Sequence, residues 1–338
     1  MYVLILFFSM IGIILFATNR LKIPVHIAPL FTVSSIVLIL YGFTLCSHGL
    51  LGVWFLVGCN VAALVDSIIF YLKEKSYEKL KKILAPLSLY ALFFSGLGFL
   101  SRNWNFHCWD EYMHWDPFSR YIYKTGHFFT GEQWFVHPTY VQGIPLFGFF
   151  AAQLTKYTDA VLQFSVNIYL LSGIFVFAKK WDSKKAVLFN FGFILLSYAI
   201  ISRYTYLYIN SYIADILLGV ILASVLYLLF FAEDPVEQKV VLPILGAFVL
   251  LKDTGIFFAV CLLFVHLLTI IAVLSSRKDK NWLNMALYWC AAIIPYGIWA
   301  IRNRIFGLVA DMSIMLDPRE YLAAFFSDSN EYYNTGRS

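Results

Sequence analysis

Apolar residues run along this chain in blocks of about one membrane thickness, separated by short polar segments. A helix needs about 20 mostly apolar residues to cross the hydrocarbon layer, within a range of roughly 17–25. Such blocks occupy 3–18, 27–45, 50–72, 83–100, 160–178, 186–201, 213–231, 240–251, 255–274 and 282–301, with 240–251 the shortest. The pattern predicts an all-α polytopic transmembrane bundle of about ten spans with no soluble domain. A further apolar run, 139–154, is broken by Gly143 and Pro145 and carries Gln142 and Gln153, so it reads as an in-plane or re-entrant helix. The first block lacks a basic leader and a small-residue cleavage site, which makes it a retained span.

Composition agrees. Apolar residues make up 61% of the 338 positions and charged residues 13%, and mean hydropathy is +0.74. Soluble domains carry about 25% charged residues, so water-facing surface is scarce here. The net charge of +5 gives no sign of a nucleic-acid partner, and the placement of cations matters more than their sum. Arg20 and Lys22, the five Lys of 73–82, the four Lys of 179–185 and the three cations of 275–281 all fall on the cytoplasmic side only if 139–154 does not cross. Both termini and the loop 101–159 then face outward. Five scattered cysteines show neither metal-ligand spacing nor a disulfide framework.

The outer stretch 101–137 concentrates the chemistry: four of the seven His, four of the nine Trp, and Asp110, Glu111 and Asp116. Asp116-Pro117 is a helix-start signal, a carboxylate N-cap with proline at the first helical position. A short helix should run to Gly126, with Phe118, Tyr121 and Ile122 on the bilayer and Arg120 and Lys124 reaching headgroups. Asp110 and Glu111 sit just before it. Carboxylates beside aromatics at a lipid boundary gain proton affinity through desolvation, as a general base near neutral pH requires. The same residues also fit a solvated turn within an aromatic belt. Arg203 and Asp215 fall near span ends, and Lys252-Asp253 interrupts an apolar stretch; ionisable groups at membrane depth are functional candidates by default. A local ion pair for Lys252, a helix cap for Asp215, and headgroup contacts for Arg302 and Arg304 are the structural alternatives.

WDEYMHW (109–115), after a span and on the outer side, resembles the acidic motif in the first external loop of GT-C glycosyltransferases, which include protein O-mannosyltransferases and aminoarabinose transferases. HPTYVQGIPL (137–146), SRY…D (202–215), LKDTG (251–255) and WAIRNRIFG (299–307) are similar to further juxtamembrane segments of that superfamily. Where the family often has a double proline, this chain has His137-Pro138-Thr139. The resemblance covers about 83–307. It implies N-terminal extra helices over 1–82, a seven-span module with a catalytic outer loop at 101–159, and an external tail at 308–338. The three extra spans and the short tail depart from the family pattern.

The resemblance further implies sugar transfer from a polyprenyl-phosphate donor to a hydroxyl on a glycan, lipid or protein acceptor. It places the chain in the plasma membrane, with the site on the outer face, serving cell-surface polysaccharide synthesis. Asp110, or else Glu111, would act as base; His114, four residues on, would orient Asp110. Lys252 and Arg203 would bind the donor phosphate, with Asp116, His137, Asp215, Trp109 and Trp115 lining the pocket. Asp110, Glu111 and Asp215 offer the oxygen ligands that suit Mg²⁺ or Mn²⁺, although metal-free branches are known in the superfamily. The rival readings are a transporter or flippase of lipid-linked sugars, which predicts inverted repeats and mid-membrane charges, a polysaccharide polymerase or ligase, and a non-catalytic scaffold.

Overall fold

The computed structural model describes residues 2–74, 77–131, 137–178, 181–204, 211–232, 235–274 and 282–308; within these, the side chains of 74, 77–79, 202–204, 235, 272–274 and 282 are not described. The described residues form twelve helices and one short π-helical segment, with no strand among them. They are α1 (Tyr2–Asn19), α2 (Ala28–Leu45), α3 (Gly49–Glu74), α4 (Tyr77–Ser101), the π segment Glu111–Trp115, α5 (Asp116–Thr125), α6 (Gly143–Leu154), α7 (Asp159–Phe175), α8 (Lys184–Tyr204), α9 (Asp215–Phe230), α10 (Pro235–Phe248), α11 (Thr254–Leu274) and α12 (Trp282–Ile305).

Among the described residues, seven helices are long and apolar enough to cross a membrane: α1, α2, α3, α4, α8, α11 and α12. This makes the chain an integral multi-pass membrane protein. It also corrects the expected count of ten. The other three expected spans form helices of 17 residues (α7), 16 residues (α9) and 14 residues (α10). A rise of about 1.5 Å per residue gives these roughly 21–26 Å, short of the ~30 Å hydrocarbon thickness. α6, on the run expected not to cross, has 12 residues, and Gly143 through Ala152 are all buried.

α7 forms the core. Every residue from Val161 to Phe175 is buried, as expected of a helix apolar on all sides. It packs against α2, α4, α6 and α9. Between helices in lipid the hydrophobic drive is absent, so close packing and interhelical hydrogen bonds carry the association. Tyr90 of α4 meets Ser172 of α7 (2.9 Å), Ser34 of α2 meets Tyr169 of α7 (3.2 Å), and Tyr41 of α2 donates to the Pro295 carbonyl of α12 (2.8 Å). Asn60 of α3 clamps α1, accepting from Gly12 N–H (2.9 Å) and donating to the Phe8 carbonyl (2.8 Å).

α5 runs as the sequence predicts, from Asp116 to Thr125. It ends on Gly126 at φ 74, where the left-handed backbone favours glycine and the Gly126 N–H returns to the Ile122 carbonyl. Its environment differs from the expectation. Phe118, Tyr121 and Ile122 are buried against protein instead of lying on lipid, because α6 covers the helix. Arg120 pairs with Asp116 at 2.9 Å. Asp116 caps nothing: its own backbone is helical, since the π segment runs straight into α5.

Candidate active site

One end of the bundle gathers the start of α6, the starts of α9 and α11, the end of α12 and the loop after α4. Backbone contacts tie these pieces together. The Gly143 N–H donates to the Leu250 carbonyl (2.7 Å), and a Cβ at Gly143 would lie 2.6 Å from that oxygen. Only glycine lets the 137–142 segment approach the α10–α11 turn so closely. Trp299 Nε1 and Asn303 Nδ2, from α12, both donate to the Thr139 carbonyl (2.7 and 3.1 Å).

Glu111 is the node that shapes the loop. It is fully buried. Its Oε2 accepts from the backbone N–H groups of His107 (2.8 Å) and Cys108 (3.0 Å). Its Oε1 accepts from Gln163 Nε2 of α7 (3.0 Å) and from the Tyr212 N–H (2.5 Å). A buried charge is tolerable only when paired or hydrogen-bonded, and four donors meet that need. Glu111 therefore has no face left for an acceptor hydroxyl or a metal ion, which corrects its expected roles as alternative base and ligand. Tyr212 completes the node: its hydroxyl bonds Ser119 (2.8 Å) and the Ile144 carbonyl (3.1 Å), linking α5 to α6. Burial holds the thiol of nearby Cys108 up at about 11, so it stays protonated at neutral pH.

Asp110, the next residue back, behaves differently. Its side chain is 52% exposed, and its Oδ1 lies 3.7 Å from His114 Nε2. The two stand at i, i+4 but beyond hydrogen-bond distance, across a π segment whose widened turn carries the Asp116 N–H back to the Glu111 carbonyl; single π turns recur at functional sites. Burial, reinforced by neighbouring His137, lowers the pKa of His114 against the pull of Asp110, so the ring is neutral at pH 7.

A ring stack extends from that pair. The His114 and His137 centroids lie 4.5 Å apart, and His137 stacks on Tyr140 at 4.6 Å with planes 13° apart. Trp115, also buried, lies 6.2 Å from Tyr140. Tyr140 is the hub. Burial raises its phenol pKa, and the charges of Asp253, Asp110 and Asp215 add to the rise. Lys252 Nζ bonds Asp215 Oδ1 at 2.5 Å; the ion pair that stood as the alternative for Lys252 is thus made with Asp215. Asp253 is pushed up to about 6 by burial, against the Val141 N–H and Lys252, which favour its charged form. Gln142, at the start of α6 and almost fully buried, makes no hydrogen bond with either amide atom among the described residues. No protein-family model matches the chain, and neither a curated protein nor a solved structure matches it.

The expected site residues thus separate. His114, Trp115 and His137 pack about Tyr140, with Asp110 beside His114, while Asp215 and Lys252 pair with each other. Trp109 is 67% exposed and is not a buried pocket wall. Asp116 belongs to another network, accepting from Tyr157 Oη (2.6 Å) and Arg120. Arg203 lies in the last turn of α8, with its side chain outside the described residues. Arg302 is buried, not at the headgroups: its guanidinium lies 4.8 Å from the Trp299 ring and donates to the Phe129 carbonyl. Among the described residues, no three His, Cys, Asp or Glu side chains converge to hold a metal ion. Tyr140, Gln163 and Tyr212 were not singled out from sequence, and Asp253 only together with its neighbour Lys252. Tyr140 lies in the quoted HPTYVQGIPL segment and Asp253 in LKDTG; Gln163 and Tyr212 carry no local signal.

Proposed function

We propose that the chain is a membrane glycosyltransferase that moves a sugar from a polyprenyl-phosphate donor to an acceptor hydroxyl at the outer face of the membrane, in cell-surface glycan synthesis. The observation that carries this reading is an exposed carboxylate, Asp110, beside the His114–His137–Tyr140 ring stack, with a part-exposed Lys252–Asp215 ion pair at the starts of α9 and α11. In the proposed reaction, Asp110 accepts the hydroxyl proton as the acceptor oxygen bonds to the anomeric carbon. The bond from that carbon to the phosphate oxygen breaks, with inversion. Neutral His114 holds Asp110 in place, and Lys252 exchanges Asp215 for the leaving phosphate, whose growing charge it offsets. Tyr140, held protonated, can donate to the donor or the acceptor.

A groove of about 440 Å³ between α9 and α11, lined only by apolar side chains including Leu222, Leu226, Phe258 and Leu262, supports a donor with a lipid tail. Asp215 begins α9 and Lys252 lies just before α11, so the charged pair heads the two helices that wall this groove.

The test is transfer from labelled polyprenyl-phosphate sugars in membranes containing either wild type or Asp110→Asn. Loss of transfer in the variant at equal expression is the expected result; equal transfer by both ends the assignment.

A further inference from the structure

A polar cavity of about 840 Å³ opens beside the loop after α4, and none of the Tyr140 cluster lines it. Loop residues Arg102, Trp104 and Lys156 contribute polar and aromatic groups to its lining. The first turns of α1 and α7 contribute Tyr2, Ile5 and Val161. Tyr2 Oη fixes one wall by donating to the Gly98 carbonyl of α4 (2.7 Å).

The charges here are unbalanced. The cavity's one carboxylate, Asp159, is occupied by the Phe106 N–H (3.0 Å). Among the described residues, neither Arg102 nor Lys156 enters an ion pair. The Arg102 guanidinium lies 4.3 Å from the centroid of the Phe99 ring, and Phe99 and Leu100 of α4, like Leu4 and Phe8 of α1, are exposed apolar side chains. Two unpaired cations thus stand where two lipid-facing helices begin and end, with an aliphatic floor between them. Long cationic side chains at helix ends place their charge at headgroup level.

We propose that this cleft binds the phosphate of an anionic membrane lipid, with Arg102 and Lys156 on the phosphate and the acyl chains lying along the exposed apolar faces of α1 and α4. The α1 wall lies outside the segment that resembles GT-C enzymes, and lipid binding here does not depend on the chemistry proposed around Tyr140.

Native mass spectrometry of the full chain, offered equimolar phosphatidylglycerol and phosphatidylcholine, tests the assignment. Wild type should retain phosphatidylglycerol in preference. Arg102→Gln/Lys156→Gln should lose that preference, with affinity falling about ten-fold or more, in line with losing charge-assisted bonds. The charge-conserving Arg102→Lys/Lys156→Arg should keep it, which separates charge recognition from damage to the fold. Equal retention of the two lipids, an unchanged preference in the Gln variant, or displacement of the lipid by equimolar inorganic phosphate would each overturn the proposal.

Discussion

Glu111 and Asp110 are adjacent in the chain, yet their surroundings have opposite physics. Around Glu111 every acceptor site is used: four N–H donors from three separate segments close on a dry carboxylate. Around Tyr140 the groups stand apart. Asp110 is half exposed with a single imidazole at 3.7 Å, and Lys252 holds an Asp215 that is itself 47% exposed. Hydrogen bonds to charged groups contribute about 1.5–3 kcal/mol each, so the first region is committed to holding the loop. In the second, a ligand can replace existing partners at small cost. A saturated carboxylate is architecture; an unsaturated one nearby can do chemistry.

That contrast breaks most visibly under substitution. Glu111→Ala should leave four donors without their acceptor and lower stability by about 3–5 kcal/mol, read as loss of the monodisperse peak in detergent chromatography and a large fall in melting temperature. A variant that purified and melted like wild type would show that Glu111 is no anchor. Asp110→Asn should do the reverse: melting unchanged, transfer down about 10²–10⁴-fold. If it melted as early as Glu111→Ala, the two regions would be one structural unit.

Smaller effects sharpen the comparison. Lys252→Met should raise the KM for a lipid-phosphate donor about 10–100-fold, the range for losing one or two charge-assisted bonds, with Lys252→Arg intermediate. An unchanged KM would mean that Lys252 serves only Asp215. The smallest effect concerns pH. Asp253 sits at about 6 in the folded chain against an ordinary 3.8, so the folded form binds its proton more tightly than the unfolded one. Its contribution to stability is full below about pH 4 and is lost as pH rises through about 6. Asp253→Asn should therefore flatten the melting temperature between pH 4 and 7 and gain on the order of 1–2 kcal/mol at pH 7. Parallel melting curves for variant and wild type across that range would refute the assignment.

Local sequence logic placed α5 and its end at Gly126 but missed the π segment that runs into its start. Pro117 near its start and Gly126 after its end are signals read within one turn, and the structure has both. It also found the loop where Asp110 and His114 pair, since i, i+4 spacing is a property of the helix itself. It erred where the answer depended on neighbours far along the chain. Phe118 and Ile122 have the pattern of a lipid-facing stripe, and only the position of α6 shows that protein covers them. Arg302 has the pattern of a snorkelling cation, and only the Phe129 carbonyl and the Trp299 ring show that it is buried.

Composition and the length of apolar runs by themselves determined a helical, multi-pass membrane protein, because lipid leaves backbone groups no partner outside a helix or a closed barrel. They also located its polar chemistry between α4 and α6. Tertiary structure alone decided which of two adjacent carboxylates turned inward. Two of the four donors that claim Glu111 come from Gln163 and Tyr212, 52 and 101 positions away, and the close approach that brings the Val141 N–H to Asp253 needs Gly143 under the Leu250 carbonyl. Hydrogen-bond saturation depends on where distant segments pack, so no reading of neighbouring residues could reveal it.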